Sequence, residues 1–335
     1  MQGRGQPKVG SISRRRLLGA VLVAPMAAAI EVYAQASSRV PVIGLIRGSS
    51  FNPDDPSRPL LLQAFREVGY EDGRTVKINQ RYAAGRVEVL PQIAATLVDE
   101  KVDVILTANE PALRAAKQAT TSIPIVFMAW DYDALASGLI DSLNRPGGNV
   151  TGVSMLQPQL LEKRLELLKE AVPGTRRVLA FWDAFSRKQL EALAPAARAL
   201  GLELRPVQIR DISGLGNVLR ATKRSGDAGI FLFSPAVYAN RAQVAAEALK
   251  VSLPAIFPEE WYVPPGGLLS YGPDIGEVMQ RVAYMVDRIL KGSSPGALPV
   301  EQVSKFRMAV NLKTAKAIGV RIPESVLLRA DEVIR

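Results

Sequence analysis

The chain has 335 residues, of which 48% are hydrophobic, and its 42 Lys and Arg outnumber 32 Asp and Glu, for a formal charge of +10. This length predicts two domains, and the apolar fraction excludes disordered, collagen-like and coiled-coil classes. The chain contains neither Cys nor His. Disulfides, thiolate nucleophiles, Ser-His-Asp triads and His/Cys zinc sites are therefore excluded, which favours binding over catalysis.

The first 36 residues have the pattern of an export signal rather than of a folded domain. A basic start ends in Arg14-Arg15-Arg16, an apolar stretch covers residues 17–30, and Ala34-Gln35-Ala36 is a small-x-small site for a signal peptidase. The run at 13–18 also has the form of a twin-arginine signal. The apolar stretch is shorter than the ~20 residues of a spanning helix, and an uncleaved membrane anchor is the alternative. We expect a periplasmic protein secreted through a cleaved signal.

From Val40 onward, short apolar runs alternate with amphipathic stretches, which predicts alternating strands and helices. Continuous β-branched runs such as Ile125-Val126-Phe127 indicate strands buried on both faces, as in a parallel sheet covered by helices. In the first half we predict strands at 40–46, 75–82, 102–106, 123–127 and 150–153, and helices at 60–68, 87–99 and 111–119.

A second round of the same alternation follows. Its helices are predicted near 161–172, 190–200, 215–223, 241–250 and 278–289, and its strands at 178–182, 202–209, 229–233 and 254–257. A strand at 306–310 and a helix at 312–318 are assigned to neither round. The expected fold class is α/β, with two doubly wound parallel-sheet lobes joined by a hinge. The expected lobes are 37–155 plus about 275–300, and 156–274 plus about 301–335, with the C-terminal segment left open.

Loops at the carboxyl ends of parallel strands are where ligands bind in such sheets, and two facing lobes would bring both sets of loops to one cleft. All three Trp residues fall in these loops, next to carboxylates. That pairing suits a ligand with an apolar body and an amine or hydroxyl group, whereas a ligand carboxylate would go to a helix start or to Arg47. The candidate ligand residues are Ser49, Ser50, Thr107, Ala108, Asn109, Trp130, Asp131, Trp182, Asp183, Ser234, Tyr238 and Trp261.

Each of these loop residues also has a structural interpretation. Loop Ser, Thr, Asn and Asp side chains are mostly caps and turns, and a loop Trp can pack under its own loop. Tyr271, which precedes Gly272, is a further candidate because a Tyr beside a glycine hinge can contact ligand during closure. The alternative there is a turn with a buried Tyr271 and Asp274 capping the next helix.

Motifs for cofactors, metals and nucleic acids do not emerge from the sequence. The segment at 145–149 lacks the order of a phosphate-binding loop and reads as a turn before a strand, and Leu219 stands where a dinucleotide-binding loop needs its third Gly. Basic residues are spread along the chain, which argues against nucleic-acid binding. We expect no cofactor, no metal and no nucleic-acid partner.

Five segments carry a family resemblance: 65–74, 145–152, 271–274, 311–316 and 328–334. With them the chain resembles the ABC-transporter substrate-binding proteins of the tryptophan/tyrosine-binding-like group, which have the type I periplasmic-binding-protein fold. The resemblance implies an exported, non-enzymatic receptor, monomeric, that closes two lobes on a small molecule and delivers it to ABC permease membrane subunits. The ligand would be an amino acid or an aromatic or carboxylate metabolite.

The family-type contact loops map onto residues of this chain. They comprise Ser49-Ser50, Thr107-Ala108-Asn109, Trp130-Asp131, Ser154, Trp182-Asp183, Ser234 and Tyr271. The chain departs from the commoner pattern at Asn109-Glu110-Pro111, where a Gly-rich or Ser/Thr-rich helix start is frequent, and at Trp130-Asp131-Tyr132, which replaces a smaller Asp-Pro sequence. Both departures indicate a reshaped pocket.

Two other functions are weighed against a solute receptor. An exported enzyme on the same two-lobed frame would use Asp131 or Glu260 as a base and a Lys or Tyr as an acid. A ligand-sensing repressor would need a helix-turn-helix before the first lobe, where residues 1–36 predict an export signal instead. The receptor is the function that we predict.

Overall fold

The computed structural model describes residues 1–3, 39–130, 132–155 and 157–335. Most of the predicted export signal, residues 4–36, and the candidate ligand residue Asp131 lie outside the described residues. Pro41–Arg335 form one compact unit. Within the described ranges, none of the helices combines the length and the hydropathy that crossing a membrane requires.

The first part of this unit alternates strand and helix, as predicted. Helix α1 begins at Ser57, earlier than predicted, because the Asp55 carboxylate accepts a hydrogen bond from the Ser57 backbone N–H (3.0 Å) and caps the first turn. The elements are β1 (Val42–Arg47), α1 (Ser57–Glu67), β2 (Lys77–Tyr82), α2 (Leu90–Asp99), β3 (Val104–Thr107), α3 (Glu110–Ala119), β4 (Ile125–Ala129) and β5 (Val150–Ser154).

The second part repeats the alternation with one unpredicted short helix, α7. Its strand β8 lies two residues earlier than predicted, so that Phe233 falls beyond the strand end, in the loop. The elements are α4 (Gln157–Ala171), β6 (Arg177–Trp182), α5 (Arg187–Ala199), β7 (Glu203–Gln208), α6 (Leu215–Thr222), β8 (Asp227–Phe231), α7 (Pro235–Ala239), α8 (Arg241–Lys250), β9 (Ala255–Phe257) and β10 (Leu269–Pro273).

The C-terminal part adds one helix and two strands that the apolar pattern did not predict. The unpredicted elements of this part are α11, β11 and β13. The preceding strand β10 was not predicted either, and all four elements are short or polar. In chain order the part contains α9 (Ile275–Leu290), β11 (Glu301–Gln302), β12 (Phe306–Asn311), α10 (Leu312–Ala317), α11 (Glu324–Leu327) and β13 (Glu332–Ile334).

The strands form two sheets. The first has the order β11-β5-β4-β3-β1-β2 with all strands parallel, and the second has the order β13-β12-β10-β9-β8-β6-β7. In the second sheet β10 and β12 pair antiparallel, with Leu269 opposite Val310, and the other pairs are parallel. The predicted α/β class with two parallel-dominated sheets is confirmed, apart from this pair.

We call the first sheet with α1–α3 and α9 lobe 1, and the second sheet with α4–α8, α10 and α11 lobe 2. Helix α9 packs against α1 and strands β3–β5, which places it in lobe 1. Glu301–Gln302, which the prediction put in the second lobe, pair with Val153 and Ser154 of β5 and therefore belong to the first sheet.

Both faces of each sheet are covered by helices, and the alternation along each strand decides which face a side chain enters. In β3, Val104 and Leu106 join the core under α1 and α9, whereas Ile105 joins the core under α2 and α3. This period of two is the signature of a strand buried on both sides. The continuous apolar runs in the sequence therefore reflect two separate core layers per lobe.

Within the described residues, the chain crosses between the lobes at three places: next to Met155, at Asp274 and at 303–305. The last two are tied together, because the Asp274 N–H donates to the Lys305 carbonyl (2.9 Å). Glu277 in the first turn of α9 accepts hydrogen bonds from the Lys305 N–H (2.8 Å) and from the Ser304 hydroxyl (2.9 Å), and it pairs with Arg281 (2.7 Å). This carboxylate holds two of the three crossings at a common point.

We predict that Glu277→Gln weakens the hinge and makes the free energy of unfolding depend less on pH at acidic pH. Burial raises the pKa of Glu277, but the hydrogen bonds from Arg281, Lys305 and Ser304 outweigh it and lower the pKa to about 2. The stabilisation is therefore present above the unfolded value of 4.5 and is lost as pH falls towards 2. Urea denaturation between pH 2 and 7 measures it. The loss expected at pH 7 is about 1–3 kcal/mol.

Glu88→Gln, at an exposed position in lobe 1, is the matched control. It should leave the profile of the wild type unchanged. If Glu277→Gln and the wild type lose stability in parallel as the pH falls, Glu277 does not hold the hinge.

Candidate functional site

The carboxyl ends of the strands of both sheets meet at a small cavity between the lobes, with a volume of about 50 Å³. This is space for only a few water molecules, at roughly 10–15 Å³ each. Lobe 1 contributes Arg47, Gly48, Ser49, Ser57, Leu61, Ala108, Asn109, Met128, Trp130 and Met279. Lobe 2 contributes Phe233, Pro235, Tyr238 and Glu259.

Two aromatic rings from opposite lobes close the cavity. Trp130, which follows β4, stacks on Phe233, which follows β8, with ring centroids 5.6 Å apart and planes inclined by 14°. Phe233 is held in place by Gln189 of α5, whose amide donates to the Phe233 carbonyl (2.8 Å) and accepts from its N–H (3.1 Å). The lobe 2 ring is therefore presented by a fixed backbone.

Arg47 does not offer the free cation that the sequence suggested for a ligand carboxylate. Its guanidinium pairs with Asp55 at 2.9 Å and also donates to Ser57. Asp55 in turn accepts a 2.5 Å hydrogen bond from the Tyr238 hydroxyl of the opposite lobe. Burial raises the pKa of Asp55, but Arg47 and the hydrogen bonds from Tyr238 and Ser57 outweigh it and lower the pKa. The Arg47–Asp55 pair is thus a neutral part of the wall.

Asn109 is both a helix cap and a residue of the cavity wall, the two roles that the sequence allowed. Its side-chain oxygen accepts from the Ala112 N–H (2.9 Å) and caps α3, while its Nδ2 faces the cavity wall with no hydrogen-bond partner in the described part of the chain. The neighbouring Gly48 is required here, because a Cβ at this position would lie 2.7 Å from Asn109 Nδ2 and 2.7 Å from Pro235 Cγ of lobe 2. The lobes could not approach this closely around a larger residue.

Glu259 is the most unusual group in the cavity wall. It follows β9, is only 3% exposed, and its Oε2 has no hydrogen-bond partner among the residues that the structure describes. Burial raises the pKa of Glu259 to about 8, although the nearby charge of Arg164 opposes this. The sequence analysis did not single out Glu259, because the apolar pattern places it just after a predicted strand but does not distinguish its environment from that of Glu260.

Arg164 supports this wall from behind, and it was also missed. It is 1% exposed on α4 and donates from Nε to the Tyr271 carbonyl (2.7 Å) and from Nη2 to the Pro258 carbonyl (3.1 Å). Burial lowers its pKa to about 10. A signal was present: Arg164 stands three residues after Leu161, within the apolar face of an amphipathic helix.

Five of the predicted ligand residues line this cavity, and most of the others have structural roles. Ser234 caps α7 by accepting from the Val237 N–H (3.1 Å), and Asp183 accepts from the Phe185 N–H (3.0 Å) in a turn. Thr107 is fully buried in β3, and its hydroxyl lacks a hydrogen-bond partner in the described ranges. The residues that line the cavity are Ser49, Ala108, Asn109, Trp130 and Tyr238.

The remaining predicted residues lie outside the cavity wall. Trp182 packs under the Arg187 guanidinium (5.2 Å), and Trp261 contacts the outer edge of Tyr238 with centroids 6.0 Å apart. Tyr271 lies in strand β10 rather than in a turn and stacks on Phe306 (6.0 Å), while Asp274 caps α9 as expected. Ser154 ends β5, and its carbonyl accepts from Val303.

A second, open cavity of about 690 Å³ lies at the mouth of the cleft. Ser49 and Ser50 of lobe 1 line it, together with Asp183 and the segment 208–213 of lobe 2. It shares Ser49 with the small cavity but contains neither the aromatic pair nor Glu259. The small cavity is therefore the better candidate for specific binding.

Polar contacts around the cavity hold the lobes together. On one side, Lys188 of α5 pairs with Glu110 of α3 at 2.7 Å and also donates to the Ser137 hydroxyl. On the other side, Arg241 donates to the Asp54 carbonyl (2.7 Å). The lobes are thus in a closed arrangement.

The enzyme alternative finds little support in this geometry. Glu260 pairs with Arg307 at 2.6 Å and is not part of the cavity wall, and Asp131 lies outside the described residues. Among the residues that the structure describes, no group of three acidic side chains is placed to hold a metal ion.

We predict that Gln189→Leu destabilises the protein by about 2–4 kcal/mol, because it leaves the buried N–H and carbonyl of Phe233 without partners. Gln63→Leu, an exposed residue of α1, is the control and should change stability by less than about 0.5 kcal/mol. Urea denaturation measures both. Equal effects of the two substitutions would show that Gln189 does not anchor the Phe233 loop.

Comparison with known proteins agrees with this architecture. A tyrosine-binding protein of Clostridioides difficile (strain R20291) is 26% identical over 270 residues, which cover 80% of this chain and 77% of that protein. A conserved domain protein from Vibrio cholerae O1 biovar eltor has 27% identity and a TM-score of 0.80, covering 88% of this chain and 100% of its own.

Two further solved structures differ in their ligand state. The ABC domain from Streptococcus pneumonia in complex with L-Trp is 25% identical, with a TM-score of 0.77 over 88% of this chain and 100% of its own. The ligand-free, open structure of a substrate-binding protein with adhesive properties from Clostridium difficile is also 25% identical, but its TM-score is 0.62. The match covers 88% of this chain and 99% of its own. The family model described as ABC transporter substrate binding protein matches residues 53–334. The chain belongs to the family of ABC transporter substrate-binding proteins.

Proposed function

We propose that this protein is the extracytoplasmic receptor of an ABC importer and that it closes its lobes on an aromatic amino acid or a closely related amine. The observation that carries the proposal is the interlobe cavity, which places Trp130 and Phe233 from opposite lobes beside the Glu259 carboxyl group, whose Oε2 has no hydrogen-bond partner in the described chain. Apolar walls with a few aimed polar groups are the usual composition of a small-molecule site.

The chemistry of the wall supports an aromatic solute. Trp130, Phe233 and Tyr238 supply ring faces, and Met128 and Met279 supply adaptable apolar contacts. The relatives agree in class, since one is named for tyrosine binding and another was solved with L-Trp. A cavity of about 50 Å³ is too small for such a molecule. The Trp130–Phe233 stack must therefore separate, and the solute ring takes its place between the lobes.

The closed arrangement supports a clamp that binds and releases its solute. The two structural relatives of equal identity differ in TM-score, 0.77 for the L-Trp complex and 0.62 for the ligand-free, open structure. Crossing contacts such as Lys188–Glu110 and Tyr238–Asp55 form only when the lobes meet. A solute that contacts both lobes shifts the open–closed equilibrium towards the closed form.

The cellular setting follows from the family and the N-terminus. Substrate-binding proteins of ABC transporters work outside the cytoplasm and deliver solute to permease subunits. We propose that residues 1–36 form a cleaved twin-arginine signal and that the periplasmic protein acts as a monomer. Sequencing the N-terminus of the protein purified from the periplasm tests the cleavage site.

Binding of L-tryptophan, L-tyrosine and L-phenylalanine, measured by thermal shift and calorimetry, tests the proposed function. At least one should raise the melting temperature, because a ligand that binds only the folded state stabilises it. Trp130→Ala should weaken that binding roughly tenfold or more, since it removes one wall of the cavity. Trp182→Ala is the matched control and should bind like the wild type. If none of the three amino acids binds, the proposed solute class is wrong.

We also predict that Lys188→Ala lowers the affinity for the solute about two- to fivefold by weakening the closed form. The pair with Glu110 is partly exposed, and such pairs contribute roughly 0.2–1 kcal/mol. Lys163→Ala, which removes a 2.9 Å pair with Glu166 inside α4, is the control because that pair does not cross the cleft. Calorimetry measures affinity, and small-angle scattering without solute should report a larger radius for Lys188→Ala alone. Unchanged scattering and affinity would exclude this contact as a latch.

A further inference from the structure

The Glu259 side chain is fixed in place by its surroundings. The carbonyl of the preceding Pro258 accepts from Arg164 (3.1 Å), and it lies so close to β10 that a Cβ at Gly272 would approach it within 1.9 Å. The residue that follows, Glu260, is tied to Arg307 (2.6 Å). Because the backbone is held on both sides, the Glu259 side chain starts from a fixed point of the cavity wall, where it is 3% exposed.

The turn after Glu259 is anchored from inside lobe 2 as well. Tyr262 ends a column of stacked rings, with centroid distances of 4.4 Å for Phe181–Phe231, 5.0 Å for Phe231–Phe257 and 5.2 Å for Phe257–Tyr262. The position of Glu259 in the cavity wall is thus set by the lobe 2 core, not by the cleft.

Glu259 has no cation of its own in the described cavity wall, and the positive charges that act on it, those of Arg164 and Arg241, lie outside that wall. Arg47 is the only cation among the described residues of the wall, and Asp55 already neutralises it at 2.9 Å. Arg164 lies behind the wall and directs its Nε and Nη2 to backbone carbonyls. The titratable or charged groups that influence Glu259 are Arg164 of α4, Asp55 of lobe 1, Tyr238 of α7, Arg241 of α8, and Glu260 and Tyr262 of its own turn.

The rest of the wall favours a positive charge at this point. The aromatic residues Trp130, Phe233 and Tyr238 share the cavity with Glu259, and ring faces attract cations more strongly where water is excluded. A carboxylate with aromatic neighbours is a suitable receptor for an ammonium group, which supplies three N–H donors and one charge.

We propose that Glu259 is the specificity-determining residue of this receptor: it accepts the ammonium group of the solute, selects amines over uncharged and acidic analogues, and loses its own proton to solvent when the amine binds. The inference rests on the proposed function. The step breaks one O–H bond in the Glu259 carboxyl group, passes the proton to the buffer, and leaves an ammonium–carboxylate pair with no net charge.

The buried environment supports this proton release. Burial raises the pKa of Glu259 to about 8, so the carboxyl group is mostly protonated in the solute-free cavity at pH 7. A bound ammonium group favours the charged carboxylate and lowers this pKa again. Binding of an amine at pH 7 should therefore release between about half a proton and one proton, and its affinity should rise roughly 10–100-fold between pH 6 and pH 8.

Calorimetry in phosphate and in Tris buffers, which differ in ionisation enthalpy, measures the proton release. The probes are L-tryptophan, tryptamine, which lacks the carboxylate, and indole-3-propionate, which lacks the ammonium group. We expect the wild type to release close to one proton on binding L-tryptophan or tryptamine. Glu259→Gln should release none and bind both amines about 10–100-fold more weakly at pH 8, because a hydrogen bond between charged groups is lost. Glu88→Gln, which removes an exposed carboxylate outside the cavity wall, should behave as the wild type.

A folding control accompanies the variant. At pH 5 the wild-type carboxyl group is protonated in the folded state, so Glu259→Gln and the wild type should melt at similar temperatures. A raised folded-state pKa means that the wild type loses stability as the pH rises from about 4.5 to about 8, so the variant should melt higher at pH 8. A Glu259→Gln protein that melts normally but binds weakly has lost recognition, not folding.

The remaining outcomes distinguish a failure of the inference from a failure of the proposed function. If L-tryptophan binds without proton release, or if Glu259→Gln binds amines as tightly as the wild type, the inference is overturned and the proposed function stands. If indole-3-propionate binds as tightly as L-tryptophan at pH 8, Glu259 does not select amines and the inference is overturned as well. If none of the probes binds the wild type, the proposed solute class fails and the inference fails with it.

Discussion

A polar atom that loses its water when the lobes close must find a partner in the protein or in the solute, because an unpaired buried charge costs several kcal/mol. Most groups at the cleft meet this requirement within the protein. Asp55 finds Arg47 and the Tyr238 hydroxyl, and Glu110 finds Lys188. Glu259 finds no hydrogen bond for Oε2 within the described chain. Asn109 Nδ2 and Glu259 Oε2 are therefore two polar atoms of the described cavity wall that remain for a solute to pair.

The two lobes contribute differently to this arrangement. Lobe 2 provides the rigid wall, since the Phe233 loop is clamped by Gln189 and the Glu259 segment rests on Arg164 and on the stacked rings below it. Lobe 1 provides the opposite wall, in which Gly48 lets its loop approach Pro235 closely. Two segments that cross between the lobes are tied together at Glu277, which accepts hydrogen bonds from Lys305 and Ser304.

The fold was predictable wherever burial leaves a continuous apolar run. The strands of both lobes and the long helices lie close to their predicted positions, because each packs two core layers and cannot tolerate polar residues inside. The strand β10 escaped prediction because it contains Gly272 and Pro273, which disfavour strands, and it forms through pairing with β12. Glu301–Gln302 and Glu332–Ile334 were missed because both are short strands at sheet edges. They form through pairing with β5 and β12 rather than through an apolar run of their own.

The sequence by itself determined the α/β class, the two rounds of alternation, the lack of Cys and His, and the strand-end loops that contribute to the cavity wall. Only the tertiary structure decided which loop residues share one cavity, that Arg47 is already paired, and that Glu259 rather than Glu260 faces the cleft. The physical reason is that periodicity is local, whereas the environment of a side chain depends on segments more than a hundred residues away. Arg164 is held by carbonyls 94 and 107 residues further along, a distance that no local pattern encodes.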